Sequence, residues 1–129
     1  MPITVEWTNT QHTMILYRLI GEWTWDDYDA ANRLTADLLD RVDHTANLIC
    51  DFSDSTTIPS RVLSNVGRSL RQKRPANLDQ VIVVGVNGLL RNLADVLSTL
   101  YPTATAHIIF AHTRDHAFRL LTVPGKTQG

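Results

Sequence analysis

Residues Asn47 to Ser60 read NLICDFSDSTTIPS, an apolar run that stops at Asp51 and gives way to hydroxyl side chains. A strand covered on both faces reads as an unbroken apolar run, and in an open α/β sheet the residues just past its carboxyl end line the functional edge. Leu48 to Phe52 is therefore predicted as a buried strand, and a site is expected to begin in the loop after it. Cys50, the only cysteine, sits inside the run, so it is expected to be a buried thiol that packs as a small hydrophobe and forms no intrachain disulfide.

Working outward from that strand, Ile3 to Thr8 alternates apolar and polar residues, and Met14 to Ile20 is a second strand. The short polar stretch Asn9 to Thr13 between them predicts an antiparallel hairpin. Thr24 opens a helix: its hydroxyl can cap the first turn, Asp26 and Asp27 suit the positive end of the dipole, and Trp23 can staple onto Tyr28. Tyr28, Ala31, Leu34, Leu38, Leu39 and Val42 form its inner stripe. A second helix is expected from about Ser60 to Lys73, with Val62, Leu63, Val66 and Leu70 inward and Pro75 ending it. Val81 to Gly85 reads as a strand, and Asn87-Gly88 leads into a leucine-rich helix containing Leu97 and Leu100 that Pro102 closes. Ala106 to Ala111 is the last strand, and Thr113 caps a final helix.

The order ββαβαβαβα implies an α/β fold in which a mixed five-stranded sheet starts with the antiparallel hairpin and continues in parallel, with four helices. At 129 residues, one domain over 1–123 with a frayed tail at 124–129 is expected. The formal charge of −1 offers no global attraction to nucleic acid. No segment approaches the roughly 18 to 20 apolar residues of a membrane span, and the start MPITVEWTNT lacks a signal-peptide pattern. A cytoplasmic protein without stable membrane insertion is expected.

The element order, with Asp51-Phe52-Ser53 ending the third strand before a hydroxyl-rich loop, resembles the STAS domains of the anti-sigma-factor antagonist group. Trp7, Gly21-Glu22-Trp23-Thr24-Trp25 and Pro59 look like short bacterial members of the STAS and CRAL-TRIO-like superfamily. The resemblance implies a regulatory, protein-binding domain whose phosphoacceptor lies in an Asp-Ser-Ser-Gly-type motif at the start of the next helix. Here that place reads Thr57-Ile58-Pro59-Ser60-Arg61-Val62, so the acid before Ser60 and the glycine after it are missing. Ser60, Ser55 and Thr57 are the candidate phosphoacceptors. CRAL-TRIO relatives carry apolar ligands, which implies an alternative role as a small-molecule or lipid-binding module.

Asp51, Ser53, Asn87, His112 and Thr113 all fall at or just past carboxyl ends of strands, where with Ser55, Thr57 and Ser60 they can bind an anion or small polar ligand at nearby helix amino termini. The same residue types also serve as helix caps and turns. A hydrolase reading fails because the nucleophile elbow and an oxyanion-hole signal are missing, and the one close histidine pair, His112 and His116 at helix spacing, has no cysteine or other clear third metal ligand. Neither a catalytic residue, a metal nor a cofactor is assigned.

Glu22 to Asp43 holds seven acids against Arg33 and Arg41, whereas Ser60 to Arg74 holds Arg61, Arg68, Arg71, Lys73 and Arg74 with no acid. Arg61, Arg68 and Arg71 are therefore an expected interaction surface for an acidic partner or a second copy of the chain. Trp23 and Trp25 cannot easily both be buried; a packed corner between the hairpin and the first helix is the favoured reading, and a tryptophan edging a pocket or interface is the alternative. A non-enzymatic interaction module, working through the loop after the third strand and the second helix, is the expected function. A cavity of roughly 300 Å³ or more under the third helix would favour a small apolar ligand instead.

Overall fold

Ile3–Trp7 (β1) and Met14–Leu19 (β2) pair antiparallel, with Ile3 opposite Leu19 and Trp7 opposite Ile15. Asn9 closes the turn through both ends of its amide: Nδ2 donates to Thr13 Oγ1 at 2.6 Å, and Oδ1 accepts from the Thr13 N–H at 3.0 Å. Ala46–Asp51 (β3), Leu78–Val84 (β4) and Ile108–Ala111 (β5) then add in parallel, giving the spatial order β1-β2-β3-β4-β5. This computed structural model describes residues 2–72, 75–85, 88–111 and 113–122, without the side chains of 88–91, 93 and 122. Asn87, His112, Lys73, Arg74 and the tail from 124 lie outside the described residues.

The mixed sheet is the one the sequence predicts, and its strand order has no reversal. Right-handed crossovers that all advance in one direction put their helices on one face. Trp25–Asp40 (α1), Val62–Arg71 (α2), Gly88–Leu100 (α3) and the short Pro102–Thr105 (α4) accordingly share a face. Arg114–Thr122 (α5) covers the other, where Ala117 and Leu121 pack on Met14, Leu16, Ile49, Ile82 and Val84. No described helix is long and apolar enough to cross a membrane.

α1 has the predicted start. The Asp27 N–H donates to Thr24 Oγ1 at 3.1 Å, the Thr24 N–H donates back to Asp27 Oδ2 at 2.9 Å, and Trp23 meets Tyr28 with ring centroids 6.2 Å apart. Below it, Ile15, Tyr17, Leu19 and Leu39 make a filled core. Leu34 departs from its expected inward place, being 44% exposed, and Thr35 takes the buried position instead. Its hydroxyl donates to the Ala31 carbonyl at 2.9 Å, so the helix interior satisfies it at no cost in unpaired groups.

Three further expectations are corrected. α2 spans Val62–Arg71 rather than Ser60 to Lys73, and Leu63 faces outward at 46% exposure. Pro102 does not merely close α3. It stands at the first turn of the four-residue α4, where its missing N–H costs nothing, and this short turn joins the four longer helices that the sequence predicts among the described residues. At α5 the expected cap is present, with the His116 N–H donating to Thr113 Oγ1 at 3.1 Å.

Candidate functional site

The loop after β3 is fastened at nearly every residue. Asp51 points to the α5 face and is almost fully buried. Its Oδ1 accepts from the Ser53 N–H at 2.9 Å, which turns the chain out of the strand. Oδ2 lies 2.9 Å from Arg114 Nε, an ion pair in distance without the alignment of a hydrogen bond. Asp51 is thus an anchor between the loop and α5.

From the other side, Arg18 Nη2 pairs with Asp54 Oδ2 at 2.7 Å. Gly21 bridges to Ser55, donating to the Asp54 carbonyl at 2.8 Å and accepting from the Thr56 N–H at 3.0 Å. Trp23 Nε1 donates to Ser55 Oγ at 2.9 Å, and that hydroxyl donates to the Thr57 carbonyl at 3.0 Å. Trp25 Nε1 reaches the Ser60 carbonyl at 2.7 Å. Gly85, at φ 78°, closes the arrangement from β4: a Cβ there would stand 2.7 Å from the Ser53 nitrogen, so only glycine lets the two backbones approach.

The structure brings Asp51, Ser53, Ser55 and Ser60 into one tied loop, and puts Thr113 beyond the end of β5 as a cap. Ser55 has its hydroxyl engaged in two bonds, whereas Ser53, Thr57 and Ser60 are exposed. Arg61 is exposed as well and holds φ 65°, a left-handed conformation in the position where the STAS motif has its glycine. Arg68 is turned to α1, with Nη2 3.2 Å from Asp29 Oδ2, and Arg71 donates to Tyr101 Oη at 3.0 Å.

These last contacts fasten α2 sideways. Gly67 lets Tyr101 close on the helix, since a Cβ there would lie 3.0 Å from the phenol oxygen. Held by α1 on one flank and Tyr101 on the other, α2 leaves the sheet beneath it uncovered. A cavity of about 870 Å³ results. Its floor is Tyr17, Cys50, Val81, Val83, Ile108 and Phe110; α1 supplies Tyr28 and Asn32, α2 supplies Val62, Val66 and Ser69, and α3 supplies Leu97. Trp23 is buried and Trp25 half-buried, and both line it.

Where α1 and α2 meet, the cavity is lined by the Asp29–Arg68 ion pair, by Arg33 and by a group of uncharged polar side chains. Tyr17 Oη donates to the Tyr28 carbonyl at 3.2 Å. Tyr28 Oη and Asn32 Nδ2 each lie 3.5 Å from Ser69 Oγ, well beyond the roughly 2.8 Å of a good hydroxyl hydrogen bond. Burial raises the pKa of both phenols, and for Tyr17 the neighbouring Tyr28 adds to it. Burial likewise pushes the Cys50 thiol up to about 12, with the Asp51 charge a smaller contributor. Cys50 is half-buried because its open side faces the cavity.

Of the candidate binding and interaction residues that are described, only Arg68 is in the wall, whereas the alternative expectation, that Trp23 or Trp25 edges a pocket, meets this cavity. The available signal is on α2, where Gly67 and Ser69 interrupt an otherwise apolar inward stripe and leave it short of side-chain volume.

No protein-family profile and no curated protein matches the chain. Among solved structures, the anti-sigma factor antagonist SpoIIAA in its unphosphorylated form is similar, with a TM-score of 0.61 at 17% sequence identity over 92% of this chain and 95% of that one. The chain has the fold of that antagonist, the fold that the STAS resemblance implies.

Proposed function

We propose that this chain is a non-enzymatic, STAS-type regulatory module that binds a protein partner through the loop Ser53 to Ser60 and the adjoining end of α2. The observation that carries this reading is the likeness to an anti-sigma factor antagonist along nearly the whole chain. The loop adds support. Its backbone is tied down from β2, α1 and β4 while Ser53, Thr57, Ser60 and Arg61 stay exposed, so a partner meets a preformed surface and little ordering entropy is lost on binding. Thr57 and Ser60 are the proposed phosphoacceptors. A phosphate on either adds close to two negative charges beside Arg61.

A photo-crosslinking residue at Thr57 tests the reading against one at Asp37, which is exposed on α1. In the native host, one partner is expected to crosslink from Thr57 and not from Asp37, and Arg61→Glu should abolish that crosslink. Equal labelling from both positions, or none from Thr57, would count against the surface.

The 870 Å³ cavity favours a second reading, in which the same module binds a small apolar molecule. Its size falls within the range of ligand pockets, and its lining is mostly apolar with a few convergent polar groups.

A further inference from the structure

We propose that the cavity takes an uncharged amphipathic molecule, an apolar body with a hydroxyl, amide or carbonyl end, and that this end is seated among Tyr28, Asn32 and Ser69. The proposal rests on the ligand reading above and names the chemistry of its occupant. The apolar body is specified by the floor, where Val81, Val83, Ile108 and Phe110 line the cavity with apolar side chains. Filling that space removes apolar surface from water at about 25 cal/mol per Å².

The polar end is specified by the loose trio. Three hydrogen-bonding groups converge on one point with 3.5 Å gaps, so each forfeits much of a good bond's strength. A ligand oxygen among them accepts from the Tyr28 hydroxyl and the Asn32 amide, and Ser69 Oγ can then donate to it or accept from it.

Charge is excluded on electrostatic grounds. Burial holds both neighbouring phenols in the protonated form, and the Asp29 carboxylate opposes a second negative charge there. Arg68, the cation nearest by contact, is already turned to Asp29 and Asn65. A carboxylate at the trio would lose its hydration beside the Asp29 carboxylate, with Arg68 already paired to that acid. A cationic end would meet an Asp29 carboxylate already paired with Arg68 and would lose its own hydration.

The test uses the whole chain with three ten-carbon probes that share a tail: 1-decanol, decanoate and decylammonium, each below its aggregation limit. Native mass spectrometry counts bound probe, and the fluorescence of Trp23 and Trp25, which line the cavity, gives the affinity. Decanol should bind about tenfold or more tightly than either ion, a difference of about 1.4 kcal/mol. Ser69→Ala and, independently, Asn32→Leu should each weaken decanol several-fold and leave decanoate unchanged.

Decanol binding that is indifferent to both substitutions, or decanoate binding as tightly as decanol, overturns the proposed head seat while the ligand reading stands. No binding by any probe defeats the ligand reading itself. Val66→Trp, which fills the cavity from α2, should abolish decanol binding with the fold intact, and undiminished binding in that variant places the probe elsewhere and overturns the proposal.

Discussion

α1 and α2 lie on the same sheet face and are held there in opposite ways. α1 begins with a complete capping box and an aromatic staple, and the core beneath it is filled. α2 begins at Arg61 in a left-handed conformation with no side-chain cap, and it is fastened at its flanks over an open floor. The contrast separates two jobs that a small domain must divide. Residues that fix the fold gather under α1 and α5, and the cavity shares some of them, Tyr17 and Trp23 included, while the α2 side of its wall, Val62, Val66 and Ser69, is only half-buried.

Substitutions in the two regions should differ most at the aromatic corner. Trp23→Ala removes a buried indole and its bond to Ser55, and is expected to cost about 4 kcal/mol in urea denaturation. Val66→Ala, in the cavity wall, should cost about 1 kcal/mol or less because it enlarges a void that already exists. Equal costs would erase the distinction between the two helices.

Alkaline titration probes the boundary between them. The Cys50 thiol keeps its proton in the folded chain up to about 12, against an ordinary value of 9.0. Its contribution is therefore intact below about pH 9 and is lost as pH rises toward 12, because the unfolded chain releases that proton first. One such group steepens the fall by at most about 1.4 kcal/mol per pH unit. Cys50→Ala should flatten the stability curve over this interval, while Tyr17 and Tyr28 keep lowering stability above pH 10. A thiol that titrates near its ordinary value in the folded protein would mark the cavity as water-filled.

Smaller effects sharpen the comparison further. Asp51→Ala leaves Arg114 and the Ser53 N–H without their partner and should cost about 2 kcal/mol, read as a shifted denaturation midpoint. Thr24→Ala breaks the capping box and should cost about 1 kcal/mol by the same measurement. Arg61→Gly should be neutral or stabilise by up to about 1 kcal/mol, since relief of the left-handed backbone slightly exceeds the added freedom of the unfolded chain. A clear loss of stability in that variant would mean that the arginine side chain holds α2 in place.

The fold was legible where the code is local. Thr24, Asp27 and Trp23 specify the start of α1 within a few residues, and the unbroken run Leu48 to Cys50 specifies a central strand. Long-range ties were not. Nothing near Arg18 in the sequence says that it reaches Asp54, and nothing near Asp51 points to Arg114, sixty-three positions away by number. Asp51 ends β3, Ser53 follows it and Thr113 lies just past β5, yet the cavity lies under α2 on the sheet face. Its cause is a pair of packing decisions, Gly67 against Tyr101 and Arg68 against Asp29, that only the folded chain brings together.

The unreversed strand order puts every crossover helix on one side and leaves α5 alone on the other. Part of the cavity wall, Val62 and Val66 on α2, therefore lies apart from the stretches that build the α1 and α5 cores, while Tyr17, Trp23 and Leu48 serve both. Descent with modification can alter Val62, Val66 or Leu97 and retune what fits beneath α2 while the α1 and α5 cores keep the chain folded. Such changes reshape the space beneath α2 without passing through an unstable ancestor.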